Sequence, residues 1–210
     1  MVLVSHIYRF IYIKNYKVAG TSVEAFFEKY CLNPNETYVQ QHTRDESISE
    51  YGIVGTREKG KGFKYFNHMS TKDVCLNLGN KKFKQYFKFC VVRNPYEKMV
   101  SLFHFKGNEF NKEAFKEFCK NKICNDIHNC IGKNGTPKCD YFIRYENLHE
   151  GIKEVCKRIG IKDYDLNDLP SYKSEYRKER RHYRDYYDEE TRQIVYQKHK
   201  REFDFFKYEF

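Results

Sequence analysis

Tyr8-Arg9-Phe10-Ile11-Tyr12-Ile13-Lys14-Asn15-Tyr16-Lys17-Val18-Ala19-Gly20-Thr21-Ser22-Val23-Glu24-Ala25-Phe26-Phe27 holds a strand, a tight loop and a helix within twenty residues. Tyr8 to Lys14 is aromatic and β-branched, the composition of a buried strand, and Met1 to Lys14 as a whole reads as the first strand. The run breaks at Asn15. Thr21 and Glu24 stand at capping-box spacing, and Val23, Phe26, Phe27 and Tyr30 recur with the helical period. At such a helix start the unbonded N–H groups converge and the helix dipole is positive, which suits an oxyanion. Gly20 allows close backbone approach, Lys17 adds a full charge, and Thr21 and Ser22 add hydroxyl donors. The same residues also suit a plain strand-to-helix turn with a capping Thr. The Gly-x-x-x-x-Gly-Lys-[Ser/Thr] string of ATPases is absent, since Lys17 precedes Gly20.

The strand–anchor–helix unit recurs further along. Phe87 to Val92 is a short apolar run followed at once by Arg93-Asn94-Pro95, with Asn94 suited to an N-cap and Pro95 to the first helical position. Met99, Val100, Leu102 and Phe103 continue that helix. Tyr141 to Arg144 is strand-like, and Asn147 can cap a helix whose face is Leu148, Ile152, Val155, Cys156 and Ile159 and that Gly160 ends. Between these units, residues 31–66 read mostly as loop with a short strand at Ile53 and Val54, and Ser70 caps a short helix closed near Gly79. A last helix begins near Asp188-Glu189-Glu190 and ends in Lys198, Lys200 and Arg201, charges that match its dipole, with the Phe203–Tyr208 tail packing back. The alternation predicts an α/β fold with a mostly parallel central sheet flanked by helices. No linker or repeat divides the chain, so 1–210 reads as a single domain.

The chain of 210 residues carries 39 Lys and Arg against 29 Asp and Glu, a net charge of +10 that attracts anionic partners. Aromatics at 18% exclude a disordered chain. Neither an apolar run of about 20 residues nor a signal peptide is readable, which favours a cytoplasmic location. The eight cysteines contain no Cys-x-x-Cys pair and read as reduced thiols, Cys90 and Cys156 in the core. Cys124, Cys130 and Cys139 cluster with His128, but their spacing fits no standard zinc pattern.

Lys17 to Ser22 resembles the 5′-phosphosulfate loop of sulfotransferases that use PAPS (3′-phosphoadenosine 5′-phosphosulfate), with Tyr16 where that family usually has Pro. Val91-Val92-Arg93-Asn94-Pro95-Tyr96-Glu97-Lys98-Met99-Val100-Ser101 resembles the family's 3′-phosphate segment, with Lys98 where Arg is frequent. Asp140 to Leu148, Tyr186 to Glu190 and Phe203 to Tyr208 are weaker likenesses, and together they span nearly the whole chain. The likeness is greatest to the carbohydrate (Golgi-type) branch and its small bacterial and viral relatives, although no membrane anchor is readable.

The resemblance implies a P-loop-like three-layer fold and in-line sulfuryl transfer from PAPS to an acceptor hydroxyl, a glycan for this branch, with release of PAP and no metal. Lys17, Val18, Ala19, Gly20, Thr21 and Ser22 would cradle the 5′-phosphosulfate, Lys17 also stabilising the leaving phosphate, while Arg93 and Ser101 would hold the 3′-phosphate. His68, in Phe66-Asn67-His68-Met69-Ser70, stands where relatives have their base, and an imidazole's ordinary pKa near neutrality suits that task. His42 and Glu24 are fallbacks, Glu24 being first a capping residue. The basic, Tyr-rich loop Lys173–Arg184 suits closure over an anion or a solvated face equally. A P-loop-type nucleotide kinase would want Lys after Gly and an Asp for magnesium. A basic, non-enzymatic nucleic-acid-binding protein would carry a module signature, and none is present, so no nucleic-acid partner is expected.

Overall fold

The computed structural model describes residues 1–36, 45–58, 62–170 and 181–210. They divide into two compact units, one made of Met1–Asn15, Ala19–Val92 and His128–Tyr172, the other of Tyr16–Val18, Arg93–Ile127 and Lys173–Phe210.

The first unit holds a six-stranded sheet. Its strands are β1 (Leu3–Ser5), β2 (Phe10–Ile13), β3 (Ser47–Ile48), β4 (Gly52–Val54), β5 (Phe87–Val92) and β6 (Tyr141–Arg144), in the order β3-β4-β1-β2-β5-β6. β2, β5 and β6 run parallel, with Tyr12 opposite Phe89 and Cys90 opposite Phe142. The β1–β2, β1–β4 and β3–β4 pairs are antiparallel, so the sheet is mixed rather than mostly parallel. The reason is the N-terminal segment, which makes two strands instead of one. The chain reverses between Ser5 and Phe10, where Ser5 Oγ accepts the Tyr8 N–H at 3.1 Å and Arg9 adopts a left-handed φ of 52°. Both strands are fully buried, as expected of near-continuous apolar runs in a sheet interior.

Flanking the sheet are α1 (Gly20–Glu28), α2 (Thr71–Leu78), α3 (Asn80–Gln85) and α7 (Leu148–Ile159), the last preceded in the chain by the four-residue α6 (Ile127–Cys130). Phe10, Phe27 and Phe89 form the aromatic centre of this core, with ring centroids 5.0–5.7 Å apart. Such pairs contribute roughly 0.5–1.5 kcal/mol beyond the area they bury. Ser70 caps α2, accepting the Asp73 N–H, and Gly160 ends α7 at φ 80°, both as the sequence predicts, whereas the Asn147 side chain does not cap α7, because a 3-10 turn at Tyr145–Asn147 runs straight into that helix. Gly151 lets α7 lie on β6: a Cβ there would stand 2.5 Å from Ile143 Cγ2.

The second unit is helical: α4 (Pro95–Phe105), α5 (Lys112–Asn121) and α8 (Glu189–Phe206), with a 3-10 turn at Tyr183–Tyr186. Asn94, Asn111 and Asp188 cap the three helices through their side-chain oxygens. Tyr96, Met99, Phe103, Phe115, Val195 and Phe203 are central to its core. The tail is part of α8 through Phe206, and the helix kinks at His199 (φ −113°, ψ 16°).

All eight cysteines are free thiols, and all but Cys75 are buried. Cys124 packs in the second unit's core, Cys130 lies 3.8 Å from Cys90 in the first, and His128 is exposed. Among the described residues no group of three His, Cys, Asp or Glu side chains is placed to hold a metal, and no helix is long and apolar enough to cross a membrane.

Candidate functional site

The loop after β2 makes two sharp left-handed steps, at Lys17 (φ 57°) and Ala19 (φ 57°). Neither residue is Gly, so each step costs on the order of 1 kcal/mol or more and persists only where neighbours enforce it. Ala19 ends in the N-cap position of α1, and its carbonyl accepts the N–H groups of Ser22 and Val23 at 3.0 and 3.2 Å. No acidic side chain stands in the first turn of α1, so the positive end of its dipole is not neutralised there. Thr21 is half-buried and Ser22 buried.

The predicted capping box does not form. No side chain caps α1, and Glu24 is fully buried. Its carboxylate takes the Lys14 Nζ at 2.8 Å, lies 3.8 Å from Arg57 Nε, and contacts the Met1 amine. Two cations outside its own turn, Lys14 and Arg57, win Glu24 from the local backbone. The Lys14 side chain explains Gly20 as well, because a Cβ at 20 would stand 2.9 Å from Lys14 Cγ and Cε and 3.3 Å from Tyr12 Oη. Lys14 is pinned by Glu24 and cannot yield freely. Gly20→Ala is therefore expected to destabilise the protein by about 1–3 kcal/mol, read as a lower urea midpoint at unchanged slope.

In the second unit, the Arg93 guanidinium follows β5 directly and is 9% exposed. Its Nη1 donates to the Lys17 carbonyl at 3.1 Å, and its Nη2 pairs with Glu97 at 2.9 Å. Two segments 76 residues apart in sequence thus meet at this bond. The Lys17 ammonium sits 3.8 Å from the centroid of the Phe105 ring. Ser101 lies on α4, partly exposed, one helical i,i+4 step beyond Glu97. Glu97 was legible from that spacing. Phe105 and Asp126, which accepts the Tyr16 N–H at 3.0 Å, carry no local signal.

His68 belongs to the first unit. It is half-buried, with a left-handed φ of 56°, two residues ahead of the Ser70 cap. Asn67 beside it accepts a hydrogen bond from the Met1 amine at 2.8 Å. His42 and residues 173–180 of the basic loop lie outside the described residues. At the loop's far end, Arg181 lies over the Phe110 ring at 5.3 Å and Arg184 Nη2 donates to the Phe210 carbonyl at 2.7 Å.

In the second unit the Arg93 guanidinium, the Lys17 ammonium and the Ser101 hydroxyl, and in the first the hydroxyls of Thr21 and Ser22 at a helix start without acidic side chains, are groups of the kind that bind anions. Compared with known proteins, residues 1–209 match the model of a family described as "Sulfotransferase family". A protein of Archaeoglobus fulgidus, described as uncharacterized, is 33% identical over 109 residues, covering 48% of this chain and 91% of its own length. No solved structure matches the chain.

Proposed function

The chain belongs to the sulfotransferase family, and from that membership we propose that it moves a sulfuryl group from PAPS to an acceptor hydroxyl, releasing PAP. PAPS supplies an activated sulfuryl group on a phosphate leaving group. Lys17 and the N–H groups opening α1 hold the 5′-phosphate and stabilise the charge that grows on it. Arg93 and Ser101 hold the 3′-phosphate and fix the donor's orientation. His68 takes the acceptor proton. Positioning and electrostatic stabilisation then supply most of the rate, as in phosphoryl transfer. In this reading the acceptor is a sugar hydroxyl, following the likeness to the carbohydrate branch, the β2–loop–α1 order is the P-loop-like element, and 1–210 acts as one catalytic domain.

The observation that carries the proposal is the hydrogen bond from Arg93 to the Lys17 carbonyl. Through it the two segments that resemble the donor-binding motifs, 76 residues apart in the chain, touch. Calorimetry with PAP is the test. The wild type is expected to bind, and Arg93→Ala and Lys17→Ala each to lose about tenfold to thirtyfold, the size of one or two charge-assisted hydrogen bonds. Absence of PAP binding alongside binding of ATP or nucleic acid would sink the proposal.

A further inference from the structure

Four ionisable side chains that sulfuryl transfer does not use meet inside the second unit. Lys98 on α4 is 2% exposed, Asp126 1%, and Glu202 and His199 on α8 are 5% and 1%. Lys98 Nζ lies 3.1 Å from Asp126 Oδ2 and 3.0 Å from Glu202 Oε1, and Glu202 Oε2 lies 2.5 Å from His199 Nδ1. Burying such charges is costly, and apolar side chains would hold the helices together at least as well. The arrangement therefore calls for a task that apolar side chains could not perform.

That task is visible at Asp126. The oxygen that faces Lys98 also accepts the Tyr16 N–H at 3.0 Å. One residue on, the Lys17 carbonyl accepts from Arg93. The Tyr16–Lys17 dipeptide is thus held at its N–H end by a buried carboxylate and at its C=O end by a guanidinium, with the left-handed φ of Lys17 between them. Burial pushes the Asp126 carboxyl above its ordinary range, and Lys98 opposes that shift. Lys98 itself is divided between Asp126 and Glu202.

We infer that Asp126 is a positioning residue: its carboxylate, fixed by Lys98, holds the Tyr16–Lys17 segment in the left-handed turn that presents Lys17 to the donor's phosphate. The inference rests on the sulfotransferase reading for its ligand, while the clamp itself does not. Asp126 touches no reacting atom and acts through Lys17.

The test uses Asp126→Ala and Asp126→Asn in the full chain. Removing the carboxylate leaves Lys98 paired with Glu202, so the cluster stays balanced. In Asp126→Ala the Tyr16 amide is expected to exchange with solvent about tenfold or more faster, while amides inside α4 keep their protection. Asp126→Asn, which retains an acceptor, should fall between. PAP binding should weaken about tenfold in Asp126→Ala, but less than about twofold when the same change is made on Lys17→Ala, since residues acting as a unit are not additive. Equal losses in both backgrounds, or Tyr16 exchange at the wild-type rate, would overturn the inference. Should the wild type not bind PAP, the sulfotransferase reading falls and Tyr16 exchange alone decides the clamp, acceleration upholding it. Should Asp126→Ala not fold, Asp126→Asn carries both measurements, with about threefold faster exchange as the supporting result and unchanged exchange as the overturning one.

Discussion

Lys98→Met is expected to destabilise the protein by about 3–5 kcal/mol, because it takes away the ammonium that two buried carboxylates share and leaves Asp126 without its ion-pair partner. In the wild type, burial works against the Lys98 charge, but Asp126 and Glu202 outweigh it and raise its pKa. Burial likewise works against the Glu202 carboxylate, which Lys98 and His199 nevertheless hold below its ordinary range. Without the ammonium, Asp126 and Glu202 face each other in a site that is 1–5% exposed. For a chain of this length the loss lowers the melting temperature by about 10 °C or more. The sign of the pH dependence follows. In the variant the Asp126 carboxyl, already raised by burial, loses the cation that opposes that shift, so its folded-state pKa stands above its unfolded value and its neutral form favours the native state at low pH. That contribution disappears as pH rises through the raised value. The deficit relative to wild type should be smaller at pH 5 than at pH 8 in urea unfolding. An equal deficit at both, or one under about 1 kcal/mol, would mean that the cluster is not charged as drawn.

His68→Ala is expected to slow sulfuryl transfer by about 10²–10⁴-fold, the usual contribution of a positioned general base. PAP affinity should stay within about twofold, because in the proposed arrangement His68 serves the acceptor and not the donor. Single-turnover transfer from labelled PAPS to an acceptor found in a glycan panel, with PAP calorimetry on the same sample, separates the two. The left-handed backbone at His68 adds a structural reason to look here, since a strained residue ahead of a well-capped helix persists only where its surroundings enforce it. A variant that transfers at the wild-type rate would remove His68 from the mechanism and return attention to His42. Loss of PAP binding in step with activity would instead make His68 a support for the fold.

What the sequence disclosed and what it hid follow from how local each signal is. Asn94-Pro95, Ser70, Gly160 and Asp188 mark helix ends through their own torsions and side-chain oxygens, and each end lies where predicted. The β1–β2 reversal left no such mark. The turn at His6-Ile7-Tyr8-Arg9 contains no Gly, Pro, Asn or Asp, and Ser5 and a strained Arg9 do their work. Two buried strands in succession therefore looked like one, and the predicted sheet came out too parallel. Glu24 misled in the opposite way, since its spacing from Thr21 is a true local signal that Lys14 and Arg57 override. The motifs mark Arg93 and Lys17 as candidates, whereas the hydrogen bond between them, and the Asp126 that grips the other end of the dipeptide, exist only once the chain is folded.

The cysteines carry a practical consequence. Burial pushes the thiols of Cys119, Cys124 and Cys156 up to about 12 and those of Cys31 and Cys90 well above their ordinary range, and the thiolate is the form that reacts. Cys75 alone among the eight is not buried. A maleimide fluorophore added to the native protein will thus attach at a single natural handle on α2, the helix that begins three residues after His68. The protein comes with its own labelling position, close in sequence to its proposed catalytic histidine, without an engineered cysteine.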